Sequence, residues 1–176
     1  MTLDFSKNHF ELFGLAPAFR VELSRLESAY RELQSQVHPD RFATGSDAEK
    51  RASMQWATRA NEAYRTLKQP LQRARYLLAM RGVDTQEENN TAMPADFLHL
   101  QMAWREAVAD ARSAHDTGGL EQLAVELRIN EKALLDELGT FLDCDKNHDA
   151  ALTVRKLRFI DKLGEGIADA REALEH

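Results

Sequence analysis

Leu23, Leu26, Tyr30, Leu33 and Val37 recur at spacings of 3, 4, 3 and 4, and Pro39 follows almost at once. That period lays one apolar stripe along an amphipathic helix over roughly residues 20–37. Pro39 ends it, because the residue before a proline is pushed out of the helical region. The same punctuation runs through the chain. Asn8-His9-Phe10-Glu11-Leu12-Phe13 reads as a short helical turn closed by Gly14 and Pro17. Ser46 with Glu49 three residues on makes a capping box. The helix it opens carries Ala57, Ala60, Tyr64 and Leu67 on one face and ends at Pro70. Pro70 suits the first turn of another helix, through Leu71, Ala74, Leu77 and Leu78 to Gly82.

Three longer helices follow. One runs from near Pro94-Ala95 to about Ala114. Gly118-Gly119 is expected to break the chain before a second, from about Leu120 to Leu142, with Leu123, Leu127, Ala133, Leu134 and Leu138 as its core residues. The third runs from about Asp149 to Leu174 on Leu157, Ile160, Leu163 and Ile167. Short connections between three such helices predict an antiparallel bundle. No segment has the period-2 alternation of a strand, and no internal repeat is visible. The expected class is all-α.

The composition, 43% hydrophobic and 30% charged over 176 residues, can bury a core and excludes a disordered chain. Cys144 is the single cysteine, so the chain alone builds no disulfide and no multi-cysteine zinc or iron–sulfur site. No apolar run approaches the ~20 residues of a membrane span. Asp4, Lys7, His9 and Glu11 interrupt any secretory signal in the first 20 residues, so the expected compartment is the cytoplasm. Leu174-Glu175-His176 reads like the start of an expression tag and supports no inference.

Charge divides the chain. Residues 1–82 carry 13 Lys and Arg against 9 Asp and Glu; residues 83–176 carry 10 against 20. The polar, unpatterned stretch after Gly82 ends at Met93-Pro94 and reads as a linker. The expected domains are therefore 1–82, a linker 83–94, and a helical bundle 95–174. The net charge of −6 argues against a nucleic-acid partner, and nothing suggests a membrane one. A basic patch on the first half could still meet an acidic protein.

The run Asp143-Cys144-Asp145-Lys146-Asn147-His148-Asp149 offers oxygens at calcium-loop positions 1, 3 and 5. His148 stands where glycine is needed and Val154 where the closing glutamate is needed, so it reads as a solvated turn. Cys144 with His148 lacks the third orienting group of a nucleophile site. Asp136, Glu137 and Glu131 read as a solvated face. No metal or cofactor is expected.

His38-Pro39-Asp40 differs. With 6 His, 4 Pro and 13 Asp in the chain, the tripeptide arises by chance roughly once in a hundred such sequences. It follows an amphipathic helix and precedes a polar loop leading to another. A plain helix stop with a turn at Asp40 is the simple reading. With Tyr30, Leu33 and Gln36-Val37 before it, Asn61-Glu62-Ala63-Tyr64-Arg65-Thr66-Leu67 after it, and Asn8 to Leu15 opening the chain, residues 8–70 resemble a J domain. Pro70 to Leu78 and Thr153 to Leu163 extend the likeness to the HscB family, the J-type co-chaperones of iron–sulfur cluster assembly.

That resemblance implies a J-domain helical hairpin with flanking helices, joined to a C-terminal three-helix bundle. It implies that His38, Pro39 and Asp40 stimulate ATP hydrolysis by an HscA-type, DnaK-class chaperone. Arg25 and Arg31 would supply its basic contact, thinned here by Glu22, Glu27 and Glu32. On a wheel set at Phe97, the residues Leu100, Trp104 and Val108 gather on the core side, while Leu98 and Met102 fall on a different side, with Arg105 and Ala109. The resemblance implies that Leu98, His99, Met102, Ala103, Glu106, Asp110 and Phe159 dock an IscU-type scaffold. His99 and Ala103 depart from the apolar and acidic residues expected there. The expected function is thus a co-chaperone and not an enzyme. A J protein for another client, or a small helical acid–base or metal enzyme using His38 and Asp40, are the alternatives.

Overall fold

The computed structural model describes residues 6–88 and 92–175; residues 89–91 of the expected linker and His176 of the suspected tag lie outside them. The described residues form seven α-helices: α1 (His9–Leu12), α2 (Leu23–Val37), α3 (Asp47–Lys68), α4 (Pro70–Met80), α5 (Ala95–Ser113), α6 (Thr117–Asp143) and α7 (Asn147–Glu175). A 3-10 turn, Pro39–Phe42, lies between α2 and α3. The chain divides into two compact units, Met1–Leu77 and Leu78–His176.

The first unit is built on the α2–α3 hairpin. Leu26, Leu33 and Val37 of α2 are buried, as are Trp56, Ala60, Ala63 and Leu67 of α3. Leu23, expected on the α2 stripe, is 47% exposed at the first position of the helix, while Leu26 in the same turn is fully buried. The Tyr30 and Tyr64 rings stack at 4.1 Å, and the Tyr30 hydroxyl donates to Asn61 Oδ1 at 2.7 Å. Caps set the helix starts. Asn8 with Glu11 and Ser46 with Glu49 both form reciprocal capping boxes. The Ser46 bonds hold the Glu49 carboxyl below its ordinary pKa.

Two polar groups pack α1 and α4 into this unit. Arg73, only 6% exposed, donates to the carbonyls of Phe19 and Leu67 and lies over the Phe19 ring. Burial pushes its pKa down from the ordinary arginine value. The His9 ring stacks on Tyr76 at 4.3 Å. Burial lowers its pKa; Glu62 opposes that shift and Arg59 adds to it.

The second unit is a three-helix bundle. Phe97, Trp104, Val108 and Ala111 of α5, Leu120 and Leu127 of α6, and Ile160, Ile167 and Ala170 of α7 share one core. Gly118-Gly119 does not break the chain, as expected from sequence, but lies within the first turn of α6. Asp116 caps that turn, accepting from Gly119 N at 2.9 Å, and a first turn tolerates glycine because its N–H groups lack intrahelical partners anyway. Ala133, expected in the core, is exposed. The charge break at Gly82 is not where the compact units divide, which is inside α4. Arg81 explains why the end of α4 belongs to the second unit: its guanidinium reaches Leu142 O at 3.1 Å, Asn147 Oδ1 at 2.9 Å and Asp145 Oδ1 at 3.3 Å in the α6–α7 turn.

Candidate functional site

Two exposed surfaces carry the residues singled out from sequence, one on each unit. On the first, His38 ends α2 and caps the Pro39–Phe42 turn. Its backbone is extended, φ −59° and ψ 129°, as the following proline requires. His38 Nδ1 accepts from Asp40 N at 3.3 Å and lies 3.6 Å from Asp40 Oδ2. The His38 and Asp40 side chains are 52% and 90% exposed. Two bonds hold the turn. Arg41 donates to Ser35 O at 3.1 Å, and the buried Ser53 hydroxyl of α3 donates to Val37 O at 2.6 Å. A rigid imidazole–carboxylate tip is thus presented to solvent on a braced loop.

Arg25 and Arg31 are exposed on α2 but do not share a face: six residues at 100° each leave them about 120° apart. Glu27 between them is held by Lys68 at 3.7 Å and by the Tyr64 hydroxyl.

On the second unit, α5 buries Phe97, Trp104 and Val108 and leaves Leu98 and Met102 exposed, at 41% and 68%. His99, Ala103, Glu106 and Asp110 are exposed on the same helix. Phe159 of α7 is half-buried and comes directly against α5: its ring lies 6.0 Å from Phe97 and 6.5 Å from Trp104. Phe159 and Leu98 line one groove. The helical-wheel reading of α5 therefore holds, and α7 adds an aromatic edge beside Leu98.

The wheel set Arg105 on the side of Leu98 and Met102 without giving it a part in the site; its guanidinium lies 5.1 Å from the centre of the Phe159 ring. Its wheel position, about 20° from Leu98, was visible in the sequence. The approach of α7 was not.

The Asp143–Asp149 run spans the end of α6, a three-residue turn and the first residues of α7, with Asp145 at φ +56° and its carboxylate engaged by Arg81. Cys144 and His148 are exposed there. Among the described residues no group of three His, Cys, Asp or Glu side chains could hold a metal ion, and no helix is long and apolar enough to cross a membrane.

Residues 93–168 match the family described as the HSCB C-terminal oligomerisation domain. The chain is 51% identical over 168 residues to the co-chaperone protein HscB homolog of Burkholderia multivorans, covering 96% of both chains. Among solved structures it is similar to chaperone HscB from Vibrio cholerae, with a TM-score of 0.83 and 34% identity over 96% of this chain and 99% of that one. It is also similar to human co-chaperone protein HscB, with a TM-score of 0.88 and 29% identity over 94% of this chain and 83% of that one.

Proposed function

This chain belongs to the HscB family of co-chaperones, and on that premise we propose that it binds an IscU-type iron–sulfur scaffold and delivers it to an HscA-type chaperone. In this reading His38, Pro39 and Asp40, together with Arg25 and Arg31 further back on α2, contact the chaperone and stimulate its ATPase. Asp40 would pair with an arginine of the chaperone while the imidazole supplies a directional hydrogen bond. The chain itself breaks no bond; it biases its partner between states. Leu98, His99, Met102, Ala103, Glu106, Asp110 and Phe159 hold the scaffold. Holding client and chaperone on one chain raises the effective concentration of each for the other, which aids cluster assembly and transfer. The functional modules are 1–82 and 95–174, with 83–94 between them, and the place of action is the cytoplasm.

The observation that carries this reading over a J protein for some other client is the exposure of Leu98 and Met102 on a helix whose opposite face is already filled by Phe97, Trp104 and Val108. Buried against a partner, each would contribute about 1–2 kcal/mol. The test is a chaperone ATPase assay with the intact chain, with and without scaffold, alongside scaffold titration by calorimetry. Stimulation that scaffold enhances, with direct scaffold binding, supports the reading. Stimulation with no scaffold binding would leave a J protein for a different client.

A further inference from the structure

Beside Phe159 lies a groove of about 630 Å³ whose apolar lining includes Met93, Leu98 and Phe159. Four cations border it: Arg105 of α5, and Arg155, Arg158 and Lys162 of α7. Glu87 and Glu88 are the carboxylates on its rim. Arg155 is tied to Thr85 O at 3.0 Å, and Glu87 accepts from the Thr85 hydroxyl at 2.8 Å. Arg105, Arg158 and Lys162 form no ion pair among the described residues. This surplus of positive charge sits in the half of the chain that carries 10 Lys and Arg against 20 Asp and Glu. Arg105 is held over the Phe159 ring, so its planar fork is already oriented and loses less freedom when it meets a carboxylate.

The exposed surface of α5 is ordered by charge. Stepping around the helix at 100° per residue from Phe97, Arg105 falls at about 80°, Leu98 at 100°, Met102 at 140°, Glu106 at 180° and Asp110 at 220°. An apolar ridge therefore separates a cationic side, continued by α7, from an acidic side. A surface divided in this way favours one orientation of a bound protein, since the reversed pose sets like charges together.

We propose that this groove receives a carboxylate-bearing segment of the client protein, next to the apolar ridge, and thereby fixes the direction in which the client docks. The inference rests on the scaffold-binding reading above and adds Arg105, Arg158 and Lys162 to that site. A protein carboxylate suits the groove better than a nucleic acid, because the surrounding acidic surface repels a polyanion while a single carboxylate needs only the local cations.

The test titrates an IscU-type scaffold into the full chain at low and at high salt. Wild-type binding is expected to weaken as salt rises. Arg158→Gln with Lys162→Gln is expected to weaken low-salt binding about tenfold and to remove most of the salt dependence. Leu98→Ala with Met102→Ala should weaken binding while its salt dependence persists. A double glutamine variant that matches wild type in affinity and salt dependence overturns the groove's role and leaves the scaffold reading standing. A wild-type chain that binds no scaffold overturns both. Scaffold binding untouched by the glutamines, together with oligonucleotide binding that they abolish, assigns the groove to nucleic acid and overturns the proposal. Lys162→Glu alone, at an exposed position, guards against a double variant that folds poorly: it too must weaken scaffold binding, and unchanged affinity overturns the proposal.

Discussion

The Trp104 indole stacks on the Phe159 ring, with centroids 6.5 Å apart and 14° between planes, while its Nε1–H donates to Glu126 Oε1 at 2.8 Å. One side chain thus joins α5 to both α6 and α7, and it seats Phe159 at the margin between core and surface. Phe159 has two jobs as a result. Phe159→Ala should cost about 2 kcal/mol of stability, less than a fully buried phenylalanine because the ring is only half-buried. It should also weaken scaffold binding. Chemical denaturation and calorimetry on the same variant read the two effects separately.

Leu98 and Met102 should behave in the opposite way. Their exposure of 41% and 68% leaves little packing to lose. Leu98→Ala with Met102→Ala is expected to weaken scaffold binding tenfold or more, which needs about 1.4 kcal/mol, with the melting temperature near wild type. A large drop in melting temperature would mean that the pair serves the core.

The His38 imidazole is exposed, and its one hydrogen bond is local, to Asp40 N. His38→Gln should therefore abolish ATPase stimulation while thermal melting hardly moves. Full stimulation by this variant would contradict the role given to the loop.

Ser53 acts on the same loop from beneath. Its hydroxyl is buried and satisfies Val37 O, the carbonyl just before His38. Ser53→Ala leaves that acceptor unpaired and should cost about 1–3 kcal/mol. It should also reduce chaperone stimulation at temperatures where the variant is still fully folded, as a loosened loop presents His38 and Asp40 less well. Circular dichroism and the ATPase assay check the two halves.

His9 sets an acid sensitivity. Burial lowers its folded pKa below the ordinary 6.5, so protonation favours the unfolded chain. Stability is then intact above pH 6.5 and falls as pH drops through that value. The lowered Glu49 carboxyl adds its own loss only further down, below its ordinary 4.5. Melting temperatures measured from pH 7 to 5 should decline, and His9→Phe, which keeps a ring against Tyr76, should flatten that slope.

The all-α class, the α2 stripe ended by Pro39, the capping box at Ser46, and the off-core position of Leu98 and Met102 were all present in local sequence. Each depends on contacts within about one helical turn, and such contacts obey spacing rules that a linear chain displays. The tertiary structure alone decided the rest. Leu23 belongs to the stripe by period, yet is exposed as the first residue of α2, while Leu26 three residues on is fully buried. Gly118-Gly119 looks like a break but enters α6, because Asp116 caps it. Arg73 is an ordinary cation by sequence and becomes a buried brace because the carbonyl of Phe19, from a distant segment, and that of Leu67, just upstream, converge on it. The groove beside Phe159 exists only where α7 comes against α5: residues more than 50 positions apart share a surface, and side-chain spacing along one helix carries no information about which residues of another helix will lie beside it.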